Sequence, residues 1–162
     1  MWKDWKVARS NTAPKTAPQT DSDPPRAAYL VGRLERAVRR RISETLVPFK
    51  LSVAQYTALS VIRRHGESSN ADLATRAFIT PQAMNEVVQV LEQRKLVTRR
   101  PDPSHGRIVN LLLTKRGIEV LEECDAAVRR LEQTMLAGLT APQREAFRDA
   151  LLACAQALEQ RE

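Results

Sequence analysis

Apolar residues recur every three or four positions in six stretches of the sequence, which is the spacing of an amphipathic helix. The first stretch begins at Ala27 and keeps a four-residue spacing until Pro48 stops it. The fifth stretch alternates steps of three and four, a seam suited to packing along another helix. The sequence therefore predicts a mostly helical protein. The apolar positions of the first helix are Leu30, Leu34, Val38, Ile42 and Leu46.

Capping residues mark the start of the other five helices. Ser52 and Gln55 have the capping-box spacing, in which the hydroxyl and the amide each satisfy a free backbone N–H group. Either Ser69 or Asn70 caps a short third helix. The remaining predicted caps are Thr80 before Pro81, Thr114, and Thr140 in the segment Thr140-Ala141-Pro142-Gln143.

After the fourth helix, the spacing between apolar residues shortens to two positions. A run over residues 97–100 and the alternate residues Val109, Leu111 and Leu113 flank a turn rich in proline and glycine, which predicts a two-stranded hairpin. Two short helices, a tight connection, a helix with a polar outer face and a basic hairpin follow one another in the order typical of a winged helix-turn-helix. We therefore predict a mostly α fold with a small β-hairpin, and a winged helix-turn-helix lobe over residues 49–113.

Residues 1–24 contain four prolines among polar residues and few aliphatic side chains. Such a segment cannot bury enough apolar area to order itself, so we predict a disordered N-terminal tail. No stretch approaches the roughly 20 consecutive apolar residues of a membrane span, and the N-terminus lacks the apolar centre of a secretory signal. We expect a cytoplasmic protein with no membrane partner.

Charge points to a polyanionic partner. The chain carries 26 Lys and Arg against 19 Asp and Glu, for a net charge of +7. Five of those basic residues lie between Arg94 and Arg107, with Asp102 as the only acid in that segment. A local concentration of this kind is typical of a surface that binds nucleic acid, so we expect this segment to lie against phosphates.

The fourth predicted helix, residues 80–94, has the side chains to read double-stranded DNA from the major groove. Asn and Gln amides can bond a base edge through a donor and an acceptor together, and the start of a helix suits a phosphate oxygen. In the hairpin, Arg99 and Arg100 lie on opposite strand faces, so we expect one to face DNA and the other to pair internally. Arg107 at the tip suits a narrow minor groove. The candidate DNA-binding residues are Thr80, Pro81, Gln82, Asn85, Glu86, Gln89, Arg99, Arg100, His105 and Arg107.

The sequence offers nothing from which to assemble a catalytic site. It has two histidines, no Cys-His pair at metal spacing, no phosphate-binding glycine loop and no Gly-x-Ser-x-Gly segment, so we expect no enzyme activity, no cofactor and no metal. Cys124 and Cys154 both fall on apolar helical stripes. We expect them to be buried, reduced and inert.

Several of these segments, in this order, resemble the multiple-antibiotic-resistance regulator (MarR) family over about residues 27–160. The matching segments are Leu51-Ser52-Val53-Ala54-Gln55-Tyr56, Asp72-Leu73-Ala74, Ile79-Thr80-Pro81-Gln82-Ala83-Met84, Leu91-Glu92, Leu96-Val97-Thr98-Arg99, Asp102-Pro103 through Gly106-Arg107, and Leu113-Thr114-Lys115-Arg116-Gly117.

The resemblance implies a transcriptional regulator, a repressor in the simplest case. It implies a homodimer in which residues 25–48 and 114–162 form a helical dimerisation region and the two winged lobes bind a pseudo-palindromic operator. It also implies release by a small aromatic or phenolic ligand bound between the lobes. Arg33 and Tyr56 are candidates for that ligand site, although the helical spacing equally makes Tyr56 a core residue.

The sequence departs from the family pattern at two positions. His105 stands where the wing has an Asp that supports the Arg two residues later, and Lys95 stands where the family has a Gly. The first change removes a charge partner of Arg107 and leaves the position of that side chain open.

Two alternatives remain at this point. One is a thiol-based redox sensor of the same fold, which lacks support because no cysteine lies near the start of the first helix. The other is a basic helical interaction module that binds a partner without reading DNA sequence. Preference for one duplex sequence over another separates the second alternative from a specific regulator.

Overall fold

The computed structural model describes residues 24–101 and 109–159. The predicted tail lies outside the described residues except for Pro24. The helices are α1 (Ala27–Leu46), α2 (Val53–His65), α3 (Asn70–Arg76), α4 (Pro81–Gln93), α5 (Lys115–Met135) and α6 (Ala141–Glu159), with a 3-10 turn over Val47–Phe49. The strands are β1 (Ser68–Ser69), β2 (Val97–Pro101) and β3 (Val109–Leu113). The prediction of a mostly α protein with a small β-hairpin is confirmed.

Four of the five predicted caps start their helices. At α2, the Gln55 N–H donates to the Ser52 hydroxyl at 3.2 Å and the Ser52 N–H donates to the Gln55 side chain at 3.0 Å, so both halves of the capping box form. Ser69, not Asn70, caps α3. Thr80 and Thr114 cap α4 and α5 through the N–H groups three residues further on.

The hairpin is part of a three-stranded antiparallel sheet in the order β1, β3, β2. Arg99 pairs in register with Leu111 on one side of β3, and Ser68 pairs with Leu111 on the other. The sheet therefore ties the hairpin to the segment between α2 and α3. Sequence periodicity missed β1 because two serines carry no hydrophobic alternation.

The core lies between α2, α3, α4, β3 and the first half of α5. The apolar stripe of α4 is buried, which leaves the opposite face of that helix to solvent. The side chains that are 0 or 1% exposed include Leu59, Leu73, Met84, Val88, Leu91, Leu96, Leu111 and Leu121. Packing thus fixes the orientation of α4 from behind.

The start of α5 approaches the chain before β2 very closely. The Thr114 N–H donates to the Leu96 carbonyl at 3.0 Å, and the Thr114 hydroxyl donates to the Lys95 carbonyl at 2.7 Å. A Cβ on Gly117 would lie 2.0 Å from the Leu96 carbonyl oxygen. This position therefore requires glycine for space and not for its backbone angles.

The last helix, α6, packs little against the rest of its own chain. Nearly every residue of α6 is exposed, and Phe147 alone among the described α6 residues is partly buried. The prediction that Cys154 is buried is wrong, because the apolar stripe of α6 has no helix of the same chain to cover it. Cys124 on α5 is buried as predicted.

No single helix among the described residues is long and apolar enough to cross a membrane. The segments Ala27–Phe49 and Val53–His65, which meet at a bend of 85°, are together long and apolar enough to cross a membrane by length and composition only.

Candidate nucleic-acid interface

The outer face of α4 carries a row of polar side chains. All of its predicted base-reading residues are exposed and project from the side opposite to the buried stripe. Those residues are Gln82, Asn85, Glu86 and Gln89. Their positions follow the 3.6-residue repeat, so they form one surface along the helix.

The beginning of α4 is held by two contacts. Ala83 N–H donates to the Thr80 hydroxyl at 3.2 Å, and the Asn70 amide donates to the Pro81 carbonyl at 3.1 Å. The second contact joins the starts of the two helices of the helix-turn-helix. Thr80 and Pro81 are exposed, as a phosphate contact at this helix start requires.

Both predicted wing arginines at the base of the hairpin are engaged in ion pairs. Arg99 donates two hydrogen bonds to the Glu92 carboxylate, at 2.7 and 3.0 Å, and this pairing raises the pKa of Arg99. Arg100 pairs with Glu67 on the opposite side of the strand. The expectation that only one of them pairs internally is wrong, because each strand face meets an acid from a different element. The two ion pairs brace the hairpin between α4 and the turn before β1.

The other two predicted wing residues, His105 and Arg107, lie outside the described residues. Their contacts with DNA therefore stay predictions.

Arg94 serves a structural purpose that its place in the basic segment did not indicate. Its guanidinium donates to the Lys50 carbonyl at 2.6 Å and to the Phe49 carbonyl at 2.9 Å. These carbonyls end the 3-10 turn, and Lys50 has a left-handed backbone with φ of 53°. Arg94 therefore ties the end of α4 to the connection between α1 and α2, and contact between the basic segment and phosphates stays a prediction. No local sequence signal marks a partner 44 residues away.

A polar cluster that the sequence did not reveal joins α2 to α5. The Tyr56 hydroxyl donates to the Asp125 carboxylate at 2.8 Å, and Arg63 pairs with the other oxygen of that carboxylate. Burial, followed by the hydrogen bond to Asp125, raises the pKa of Tyr56 to about 12. The phenol therefore stays protonated and donates at neutral pH. The sequence signal that could have indicated this cluster is Asp125, an acidic residue at a buried position of α5.

The two candidate ligand residues occupy different surroundings. Tyr56 is partly buried and packs against the core, in agreement with the core interpretation. Arg33 is exposed on α1 and makes no hydrogen bond or ion pair with any residue that the structure describes. A shared ligand site for these two residues stays a prediction.

Cys124 lies next to the polar cluster, and its thiol has low reactivity. Burial, followed by the nearby Asp125 and Glu123 carboxylates, raises the pKa of this thiol to about 11. The neutral thiol is a poor nucleophile, which counts against thiol-based sensing at this position. Among the described residues, no three His, Cys, Asp or Glu side chains are grouped so that they could hold a metal ion.

The architecture places the chain among the winged helix-turn-helix transcriptional regulators, which are not enzymes. The model of the MarR family matches residues 49–108. The HTH-type transcriptional repressor Rv2887 of Mycobacterium tuberculosis is 36% identical over 120 residues, covering 74% of this chain and 86% of the relative. The chain belongs to the MarR family.

Two solved structures of Rv2887 superpose on this fold. The complex with DNA has a TM-score of 0.69 at 33% identity and covers 82% of this chain and 98% of that one. The complex with salicylic acid has a TM-score of 0.68 at 34% identity, with the same coverage of 82% and 98%.

Proposed function

We propose that this protein is a sequence-specific repressor that binds a pseudo-palindromic operator as a homodimer and is released by a small aromatic acid. The observation that carries the proposal is the exposed polar face of α4. The core and three tethers, which are the hydrogen bonds of Asn70, Arg94 and Arg99 described above, hold this face in one orientation. A similar protein has been solved with DNA and with salicylic acid. Because such a regulator must reach DNA, the proposal places it in the cytoplasm.

The apolar surfaces of α1 and α6 support the homodimer. Large apolar side chains stand uncovered at the start of α1 and along α6, and a second copy would bury them. They are Tyr29, Leu30, Val31, Leu151, Leu152 and Leu158, between 40 and 74% exposed. We expect sedimentation equilibrium to give twice the 18.2 kDa mass of one chain. A monomer at micromolar concentration would contradict this part of the proposal.

In this proposal, α4 and the hairpin contact different parts of the DNA. The amides of Gln82, Asn85 and Gln89 suit adenine edges, and Glu86 can accept a hydrogen bond from the amino group of cytosine. Thr80 and Pro81 at the helix start lie against a phosphate. Arg107 is proposed to insert into the minor groove beside the hairpin, and His105 is proposed as a further DNA contact. Arg99 and Arg100 remain partly exposed, at 46 and 55% of their side-chain area, and reach phosphates without leaving their acids.

Asn85→Ala tests direct readout. With a duplex selected from a random pool by the wild-type protein, we expect the variant to bind about tenfold or more weakly, since one bidentate base contact is worth about 1–3 kcal/mol. Affinity for a scrambled duplex should stay the same, because the substitution changes no charge. The measurement is fluorescence anisotropy at fixed salt.

Gln133→Ala is the matched control, since Gln133 is an exposed amide on α5 outside the lobe. It should bind both duplexes like the wild type. Equal losses on both duplexes from Asn85→Ala would contradict base reading by α4, and a wild type without any preference would favour the nonspecific interaction module.

A further inference from the structure

Asn70, the first residue of α3, connects the two helices of the helix-turn-helix at their starts. Its side-chain NH2 group donates to the carbonyl of Pro81, the first residue of α4, at 3.1 Å. The direction of the amide is fixed, because a carbonyl accepts a hydrogen bond from the NH2 group and not from the amide oxygen. That oxygen is buried. Asn70 is therefore poorly placed to contact a base itself and is committed to the start of α4.

The same side chain carries an energetic cost. The buried amide oxygen of Asn70 has no hydrogen-bond donor among the residues that the structure describes. A buried acceptor without a donor costs at least as much free energy as a typical hydrogen bond contributes. The bond to Pro81 thus adds little net stability. What it does supply is a fixed distance between two helix starts.

The backbone of Asn70 is held from behind by the sheet and by a cap. The preceding residue, Ser69, is the last residue of β1 and pairs in register with Asn110 of β3. Ser69 also caps α3: its hydroxyl accepts from the Asp72 N–H at 3.2 Å, and its own N–H donates to the Asp72 carboxylate at 3.2 Å. Because β3 is one strand of the hairpin, Asn70 has a fixed position relative to the wing.

The first turn of α4 lies ahead of the part of that helix that the core holds. The buried stripe of α4 begins at Met84, whereas Pro81 and Gln82 are exposed. The Thr80 cap shapes this turn but does not attach it to another element, since its hydroxyl accepts from within the same helix. The hydrogen bond from Asn70 attaches the turn to α3 and, through β1, to the hairpin.

We propose that Asn70 is a positioning residue that sets the base preference of α4 without contacting DNA. The inference rests on the proposed sequence-specific binding and names a determinant of its specificity. In a regular helix the Pro81 carbonyl also accepts the N–H of Asn85, so a shift of this turn displaces both Gln82 and Asn85. Gln89 lies beyond the first buried positions of the stripe and should keep its place.

Asn70→Ala tests the inference through discrimination between duplexes. In fluorescence anisotropy with the selected duplex and its scrambled counterpart, we expect the ratio of the two affinities to fall about tenfold, since a displaced turn loses base contacts on the selected duplex only. Urea unfolding should give an unchanged midpoint, because loss of the hydrogen bond is offset by removal of the buried, unpaired oxygen. Selection from a random pool should show relaxed preference at the base pairs that Gln82→Ala also relaxes.

Asn70→Asp has the same shape and reverses the contact. A carboxylate oxygen would face the Pro81 carbonyl, so repulsion replaces the hydrogen bond, while an acid in the first turn of α3 suits that helix. The affinity ratio should fall at least as far as in Asn70→Ala. Ala71→Asp is the matched control, since Ala71 is exposed and adds the same charge one residue away. It should weaken binding to both duplexes by the same factor, because phosphate contacts carry no sequence information.

An affinity ratio in Asn70→Ala equal to that of a discriminating wild type would overturn the inference and leave the proposed function standing. A lower unfolding midpoint with equal losses on both duplexes would also overturn it, because Asn70 would then serve stability alone. A wild type that binds both duplexes equally would overturn the proposed function and this inference with it.

Discussion

Gly117→Ala is expected to lower the free energy of unfolding by about 3 kcal/mol, near the upper end for an overpacked site. The added Cβ would lie 2.0 Å from the Leu96 carbonyl oxygen, which is backbone and cannot rotate away. Relief requires α5 to move away from the chain before β2, and the two hydrogen bonds of Thr114 would lengthen or break. Urea unfolding followed by circular dichroism measures the change.

Gly138→Ala is the control for this prediction. A Cβ on Gly138 would have none of the described, non-neighbouring residues within 4 Å, so the same substitution should change stability by less than about 0.5 kcal/mol. Similar unfolding midpoints for Gly117→Ala and wild type would show that α5 does not approach Leu96 as closely as described.

Asp125→Ala is expected to cost about 2–3 kcal/mol, because it leaves the Tyr56 hydroxyl and the Arg63 guanidinium without their acceptor. Arg63 is 44% exposed and can turn to water, which keeps the loss below that of a fully buried pair. Asp125→Asn should cost less, since its amide oxygen still accepts from the phenol. Urea unfolding again gives the stability change.

The exposed neighbour Glu123 supplies the control, since Glu123→Ala removes the same charge from the same helix without a buried hydrogen bond. In the double variant Tyr56→Phe, Asp125→Ala, the losses should be less than additive. Additive losses would mean that the hydrogen bond between α2 and α5 contributes nothing measurable.

The parts of the fold that could be predicted from the sequence are those that depend on residues close together in the chain. Ser52, Thr80 and Thr114 cap their helices as predicted because a cap depends on residues within one turn. The hairpin followed from alternation within each strand. In contrast, β1 and the pairing of Arg100 with Glu67 depend on residues that meet only after the chain has folded.

Two deviations show what a sequence pattern omits. Lys95 stands where the family resemblance has glycine, and its φ of 57° shows that the position does require the left-handed conformation. Lys95 therefore holds a left-handed conformation that glycine would adopt without strain. For Cys154, the apolar stripe was recognised correctly, but a stripe is buried only when another helix covers it.

The candidate site also has one part that could be predicted from the sequence and one part that could not. The polar face of α4 could be predicted because helical spacing alone separates Asn85 from the buried Met84 and Val88. The tethers that hold this face could not, because the partners of Arg94 and Arg99 come from other elements. Under the proposed function they matter because α4 and the hairpin can engage DNA together only if their relative position is fixed.

Binding of the wild-type protein to duplex DNA from upstream of its own gene, against a scrambled duplex of equal length at fixed moderate salt, tests the central claim most directly. A specific regulator should prefer the upstream duplex by about 10³ or more. Equal, weak binding to both duplexes, with the steep salt dependence of phosphate contacts alone, would contradict sequence-specific regulation through that operator.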